Sequence, residues 1–426
     1  MRTKNIVCLE ILVKTGLLGL IFSLSSAGAM AQANPMAQTD GSMAETGKPA
    51  AHAGQRPINN LPNPYVTQRN FGSLPDGRRW GSVSAVDIDI DGVHVWAGDR
   101  CGNNQCATTP DINPIVKLDP NGRVVKQFGA GQILWPHGID VDHEGNVWIA
   151  DSRIARAEEI NENPASANLG SAILKFSADG ELLMTIGTPG ELGDPPTHLT
   201  DPNDVLIAPN GRIYIAETHA AQFQNEPGPD TKSRITMWEP DGTYIGHFGE
   251  YGWDDGQFRS PHGLAMDSQG RLFVADRGNN RIQIFTQDGG WLDTWYQFSR
   301  ISGIHIDPSN DLLYAIDSES DENYNPGGWR KGLRVGNARN GEVLYFIPDP
   351  LEVPPRRHRA PLRHHHRDPH RLGPRRQRQG QDQDPPHRRQ HRREGRDPPP
   401  PPPRPRYRAA PPAPPRPPPL PAPHPP

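Results

Sequence analysis

The chain has 426 residues, 34% of them hydrophobic, with 45 Lys and Arg against 49 Asp and Glu and a formal charge of −4. That near-neutral sum hides two unlike parts: residues 1–355 carry 27 basic and 44 acidic side chains, net −17, whereas residues 356–426 carry 18 and 5, net +13. With an acidic body no nucleic-acid partner is expected for the folded part, and a terminal stretch without Ile, Val, Phe, Trp or Met excludes a packed core there.

At the N-terminus, Arg2 and Lys4 precede an apolar run whose cleanest part is Thr15 to Ser26, followed by small-x-small patterns at Ala29-Met30-Ala31 and Ala31-Gln32-Ala33. Residues 1–33 therefore read as a cleaved export signal, and the protein is expected to be periplasmic or secreted. Glu10 and Lys14 interrupt the run, which is too short for a membrane span, and no later segment approaches the ~20 apolar residues a span needs. Residues 34–75 read as a flexible linker. Cys8 leaves with the signal, and in an exported protein Cys101 and Cys106 are expected to close a small loop as a disulfide.

From Val83 onward the chain repeats itself. PHGIDVDHEGNVWIAD at Pro136, PNDVLIAPNGRIYIAE at Pro202 and PHGLAMDSQGRLFVAD at Pro261 are three clear copies, flanked by fainter ones at Val83 and Ile301. Each alternates apolar and polar residues, passes through a Gly- or Asn-centred turn and enters a second strand ending in Ala-Asp or a close variant. A further strand pair follows most copies, as in AILKFSADGELLMTIG at Ala172 and RIQIFTQDGGWLDTW at Arg281. Aligning Ser84, His137, Asn203, His262 and Ser302 gives spacings of 53, 66, 59 and 40 residues. Four-stranded units at this period define an all-β fold, a β-propeller over residues 76–352 with five blades in the chain. Long rim loops are expected at 152–169 and 219–232, with no helical periodicity. A sixth blade would begin near 345–355, where the composition collapses.

The first strand of each propeller blade lines the central channel, so equivalent repeat positions converge on the axis. His137 and His262 share one such position and are candidate metal ligands, although the same Pro-His-Gly pattern also serves as the turn chemistry of the repeat. Arg100, beside Cys101, and His219, two residues after Glu217, fall at the channel mouth. Each reads either as a site residue or as an ordinary loop residue. Asp276 and Arg277 close the fourth hairpin and read more readily as a strand-end structural pair. His305 lies two strand steps deeper than the His137 position and reads as structural.

The stretch ADRGNNRIQIF at Ala275 resembles NHL-repeat propellers. Together, WAGDR at Trp96, WPHGIDVD at Trp135, DPNDVLIAPNGRIYIAE at Asp201 and SPHGLAMD at Ser260 resemble the peptidyl-α-hydroxyglycine α-amidating lyase family, which is six-bladed. The resemblance implies an axial zinc held by His137 and His262 and a structural calcium bound by the Ile139 carbonyl. It also implies an arginine at Arg100 that assists cleavage of the substrate N–C bond, releasing an amidated peptide and glyoxylate. Where the family has a catalytic tyrosine this chain has His219, which reads as the general base. The family's third zinc histidine and calcium aspartate come from the last blade, and nothing here matches them. The expected partner is a small-molecule or peptide substrate, and a monomer is expected. Two other classes stay open: a non-catalytic propeller scaffold for a peptide or protein partner, and a calcium-dependent lactonase-like hydrolase with Asn203-Asp204 as its nearest acidic candidate.

The tail, residues 353–426, reads as a disordered Arg/Pro/His-rich segment. Abundant Arg, Pro, His, Gln and Ala without Lys, Asn, Ile, Phe, Ser or Thr is what a GC-rich gene gives when translated out of frame. The competing reading is a genuine basic binding element.

Overall fold

The computed structural model describes residues 56–69, 71–223, 231–321, 323–325 and 327–351. The export signal, most of the expected linker and the basic tail lie outside these residues. Among the described residues no helix is long and apolar enough to cross a membrane.

Twenty strands form five four-stranded antiparallel meanders, each in simple sequence order. Blade 1 contains β1 (Val83–Ile88), β2 (Val95–Asp99), β3 (Ile115–Leu118) and β4 (Val124–Phe128), and blade 2 contains β5 (Pro136–Val141), β6 (Val147–Asp151), β7 (Ala172–Phe176) and β8 (Leu182–Ile186). Blade 3 runs through β9 (Pro202–Ile207), β10 (Ile213–Glu217), β11 (Arg234–Trp238) and β12 (Tyr244–Phe248). Blade 4 has β13 (Pro261–Met266), β14 (Leu272–Asp276), β15 (Arg281–Phe285) and β16 (Trp291–Trp295), and blade 5 has β17 (Gly303–Asp307), β18 (Leu312–Asp317), β19 (Gly332–Asn337) and β20 (Val343–Pro348). The expected β-propeller and its five hairpin pairs are present, whereas the six blades of the resembled family are not: the described residues hold five. Consecutive inner strands pack side by side from β1 through β5, β9 and β13 to β17, but β17 does not pack on β1 in this way among the described residues.

The strand patterns explain the layering. Second strands such as β6 (VWIAD), β10 (IYIAE) and β14 (LFVAD) are buried along their whole length because blades cover both faces, so they read as continuous apolar runs. Fourth strands such as β8 and β16 lie at the rim, where Leu182, Leu183, Trp291 and Leu292 are exposed. Between neighbouring blades lie apolar cores. Trp96, Phe128, Ile139 and Phe176 fill the space between blades 1 and 2, and Trp148, Ile173, Ile213 and Trp238 that between blades 2 and 3. Each fully buried side chain of this kind contributes about 1.5–3 kcal/mol.

Part of the stretch expected to be linker is packed. Asn59 donates to the Gly328 carbonyl, Pro62 accepts from the Phe346 amide, and Tyr65 lies edge-on to Tyr345 on the outer face of blade 5. Phe71, Leu74 and Trp80 cover Val116 and Leu118 on the outer face of blade 1. The rim loop after β6 departs from the all-strand expectation: it contains a short helix, α1 (Ala157–Glu162), whose Glu159 carboxylate accepts from the Arg156 amide and pairs with Arg153.

One device recurs at the end of every second strand, where a buried carboxylate collects donors from the chain entering its blade. Asp99 accepts from the amides of Gly81 and Gly102, and Asp151 from those of Leu134, Trp135 and Gly170. Glu217 accepts from Thr200 and Arg234, Asp276 from Arg259 and Arg281, and Asp317 from Ser299 and Ser320. Asp276 is thus the structural contact that its position suggests. Backbone room is equally constrained at Gly138, where a Cβ would stand 2.3 Å from a carboxylate oxygen of Asp204.

Three further carboxyls join adjacent blades. Asp87 accepts from the Val141 amide, Asp140 from Ile207 and Asp204 from Leu264, while Asp87 and Asp140 also hydrogen-bond each other. Burial raises all three: Asp87 to about 7, Asp204 to about 8 and Asp140 well above the ordinary carboxylate range. A carboxyl raised in this way binds its proton more tightly in the native state. Its contribution is complete below about pH 4 and is lost as the pH rises through 7–8. The stability gap between wild type and Asp87→Asn is therefore expected to move in the variant's favour from pH 5 to pH 9, as read from paired melting curves. Asp151→Ala, which strands three buried amides, is expected to cost at least about 3 kcal/mol in denaturant unfolding.

Candidate metal centre

The Asp151 carboxylate fixes Leu134 and Trp135, so that Pro136-His137 enters β5 at a set height. Asp276 does the same through Arg259 for Pro261-His262 at the start of β13. Both histidine rings are buried, and each gives its Nδ1 to a carbonyl of the following blade: His137 to Asn203 and His262 to Ser302, both at 2.7 Å. A carbonyl only accepts, so Nδ1 carries the proton and Nε2 holds the lone pair. His262 Nε2 is buried and has no hydrogen-bond partner among the described residues.

His219 joins them. It opens a 3-10 turn, His219–Phe223, directly after β10, following Thr218 at φ 94°. Its ring centroid lies 5.1 Å from that of His137 and 5.4 Å from that of His262, and those two are 4.6 Å apart. One ligand atom from each of the three falls within 4.8 Å of the others. Burial first, then neighbouring cations, holds His137 and His262 well below the usual imidazole range and lowers His219 to about 3. All three are neutral near pH 7, the form in which imidazole binds a metal. This donor set, with an orphaned nitrogen aimed from a buried ring, fits a metal ion.

Arg100 stands beside the histidines. Its guanidinium lies over the Trp135 ring at 3.6 Å, with Nε donating to the Pro136 carbonyl and Nη1 to Asn104 Oδ1. Asn104 belongs to the loop closed by the Cys101–Cys106 disulfide and also accepts from Trp135 Nε1. Burial disfavours the charge of Arg100, which has no carboxylate among its hydrogen-bond partners. Trp135 completes a wall, with its ring 5.2 Å from His137 and 5.4 Å from His219.

On the opposite side, Arg277 donates Nη2 to His219 Nε2 at 3.2 Å and Nε to Gln222 Oε1 at 3.1 Å. Arg300 donates to the same Gln222 oxygen, to the Arg277 carbonyl and to Glu319. Arg277 therefore faces the site, unlike its neighbour Asp276. His305 lies on β17 with its ring 6.3 Å from Tyr314, away from the other three histidines. Ile139 is buried on β5 opposite Ile149; the aspartate that the resemblance pairs with its carbonyl belongs to a further blade, outside the five described.

Sequence reasoning missed Trp135, Gln222, Arg300 and Glu319 as parts of the site, although Trp135 adjoins the Pro-His pair. Arg300 precedes the inner strand of blade 5, a position that carries a signal only once the mouth is known. Gln222 follows His219 by one helical turn and has no signal of its own.

Residues 258–285 match the NHL repeat model. The chain is 31% identical over 294 residues to a Xenopus laevis protein named peptidyl-glycine alpha-amidating monooxygenase B, covering 63% of this chain and 30% of that protein. It is 28% identical over 212 residues to human NHL repeat-containing protein 3, covering 46% and 55%. A Caenorhabditis elegans protein named probable peptidyl-alpha-hydroxyglycine alpha-amidating lyase is 25% identical over 232 residues, covering 51% and 59%. The chain thus spans under a third of the Xenopus relative and somewhat over half of the other two. It is a β-propeller that carries an NHL repeat, with relatives named for peptide amidation.

Proposed function

We propose that this chain is an exported, metal-dependent carbon–nitrogen lyase that cleaves a peptidyl-α-hydroxyglycine or a closely related small substrate. The observation that carries the reading is the convergence of His137, His219 and His262, neutral and within 4.8 Å, beside a buried arginine. The names of the Xenopus and Caenorhabditis relatives support the reaction class.

The cleavage removes the α-hydroxyl proton, forms a C=O bond, breaks the C–N bond and returns a proton to the amide nitrogen. A zinc ion held by the three histidines would supply Lewis-acid polarisation of the substrate oxygen. Arg100, clamped between Trp135 and Asn104, presents a fixed positive charge to developing negative charge without reorganising. Trp135 covers one side of His137 and His219 with an apolar ring. The carbonyls of Asn203 and Ser302 lock two imidazoles in the ligating tautomer. His219 has one lone pair at Nε2, and its place among the other two rings favours ligation over the general-base role read from its sequence position.

Zinc-loaded protein given a benzoyl-peptidyl-α-hydroxyglycine is expected to release glyoxylate, with chelation abolishing turnover and zinc restoring it. His137→Ala and His262→Ala are expected to lose at least about 100-fold in kcat/KM, and Arg100→Gln about 100-fold, mainly in kcat. Metal bound to His137 and His262 with no glyoxylate formed would sink the lyase reading.

A further inference from the structure

We infer that Arg277 occupies the third histidine of the centre until a metal takes it, so that metal loading and carboxylate binding strengthen one another. The inference rests on reading the three histidines as a metal centre and does not depend on which bond the protein breaks.

Arg277 opens the 3-10 turn after β14 and is 4% exposed. A guanidinium only donates, so its bond to His219 Nε2 engages the lone pair that makes this nitrogen a ligand. Its charge also opposes a second cation: Arg277 is a neighbour that lowers the proton affinity of His137, His219 and His262 alike. A divalent ion entering among the rings meets both obstacles. The arginine must turn Nη2 away from His219.

It cannot leave the mouth in doing so. Nε remains on Gln222, Nη1 faces Glu319 at 3.6 Å, and Arg300 grips the same Gln222 oxygen and the Arg277 carbonyl. Metal loading therefore produces a tethered guanidinium with an unfilled donor next to the ion. A small carboxylate is the acceptor that fits it, because it takes the freed N–H and lowers the local positive charge. By reciprocity, a carboxylate that binds better to the loaded centre must tighten the metal by the same factor.

The test is a titration of metal-free full-length protein with Co²⁺, followed by absorption, and with Zn²⁺ against a chromophoric chelator, with and without acetate. In wild type, saturating acetate is expected to tighten the metal about tenfold. Arg277→Gln is expected to bind metal about tenfold more tightly than wild type without acetate and to lose the acetate effect. Arg277→Lys keeps the charge and buried stem but not the planar donor pair; it is expected to fall between the two. It provides the measurement if the glutamine variant does not fold. Equal metal affinity in wild type and both variants, or an acetate effect of the same size in all three, overturns the inference. His219→Ala separates the two levels. If it binds Co²⁺ with wild-type affinity and spectrum, the three-histidine centre falls and this inference with it, whereas glyoxylate formation does not enter any of these readouts.

Discussion

The structure depends on a carboxylate that should be costly. Asp99, Asp151, Glu217, Asp276 and Asp317 are all essentially without solvent, and an ionised carboxyl in such a place is tolerable only when donors surround it. In each blade the donors come from the loop entering the inner strand, joined in most blades by the start of the third strand or the loop before it. The pin therefore fixes the level at which each chain segment reaches the axis. Because every blade uses the same pin, Ser84, His137, Asn203, His262 and Ser302 arrive at comparable heights. A ligand set can then be assembled from residues more than a hundred positions apart.

This dependence also explains what was legible. The self-similar segments at Pro136, Pro202 and Pro261 contain both the apolar alternation and the pin residue, so the blade count and the two Pro-His rings followed from alignment alone. The Cys101–Cys106 pair was legible because the two positions are only five apart in the chain. His219 as a partner of the other two rings was not, because its direction is set by a loop that breaks the repeat, through Thr218 at positive φ and a single 3-10 turn. The arginine cluster was hidden for another reason. Gln222, Arg277, Arg300 and Glu319 come from three different blades, and no local pattern records that one amide oxygen serves two guanidiniums.

The packed stretch before β1 shows a third kind of illegibility. Proline-rich and sparsely apolar, residues 56–74 look like linker, and their structure comes from the surfaces they cover. Ile58 and Asn59 meet Arg334, Tyr65 meets Tyr345, and Phe71 and Leu74 meet the outer face of blade 1. One segment thus touches both terminal blades of the array. Those faces have no neighbouring blade among the described residues, and the segment covers part of the apolar surface that would otherwise meet water.

The position of the histidines within that array has a mechanical meaning. His137, His219 and His262 belong to blades 2, 3 and 4, the middle of the series, and each neighbouring pair of these blades shares a continuous apolar core. Motion in an arc is largest at its ends, where a sheet has a packed neighbour on one side only, and smallest at its centre. A centre drawn from the three middle blades has its rings on sheets packed on both sides, but two of its supports come from the terminal blades: the Ser302 carbonyl that holds His262 enters blade 5, and Arg100 follows the second strand of blade 1. A shift of either terminal blade therefore reaches the centre through these supports, at the tautomer of His262 and the placement of Arg100, before it reaches the packing of the rings.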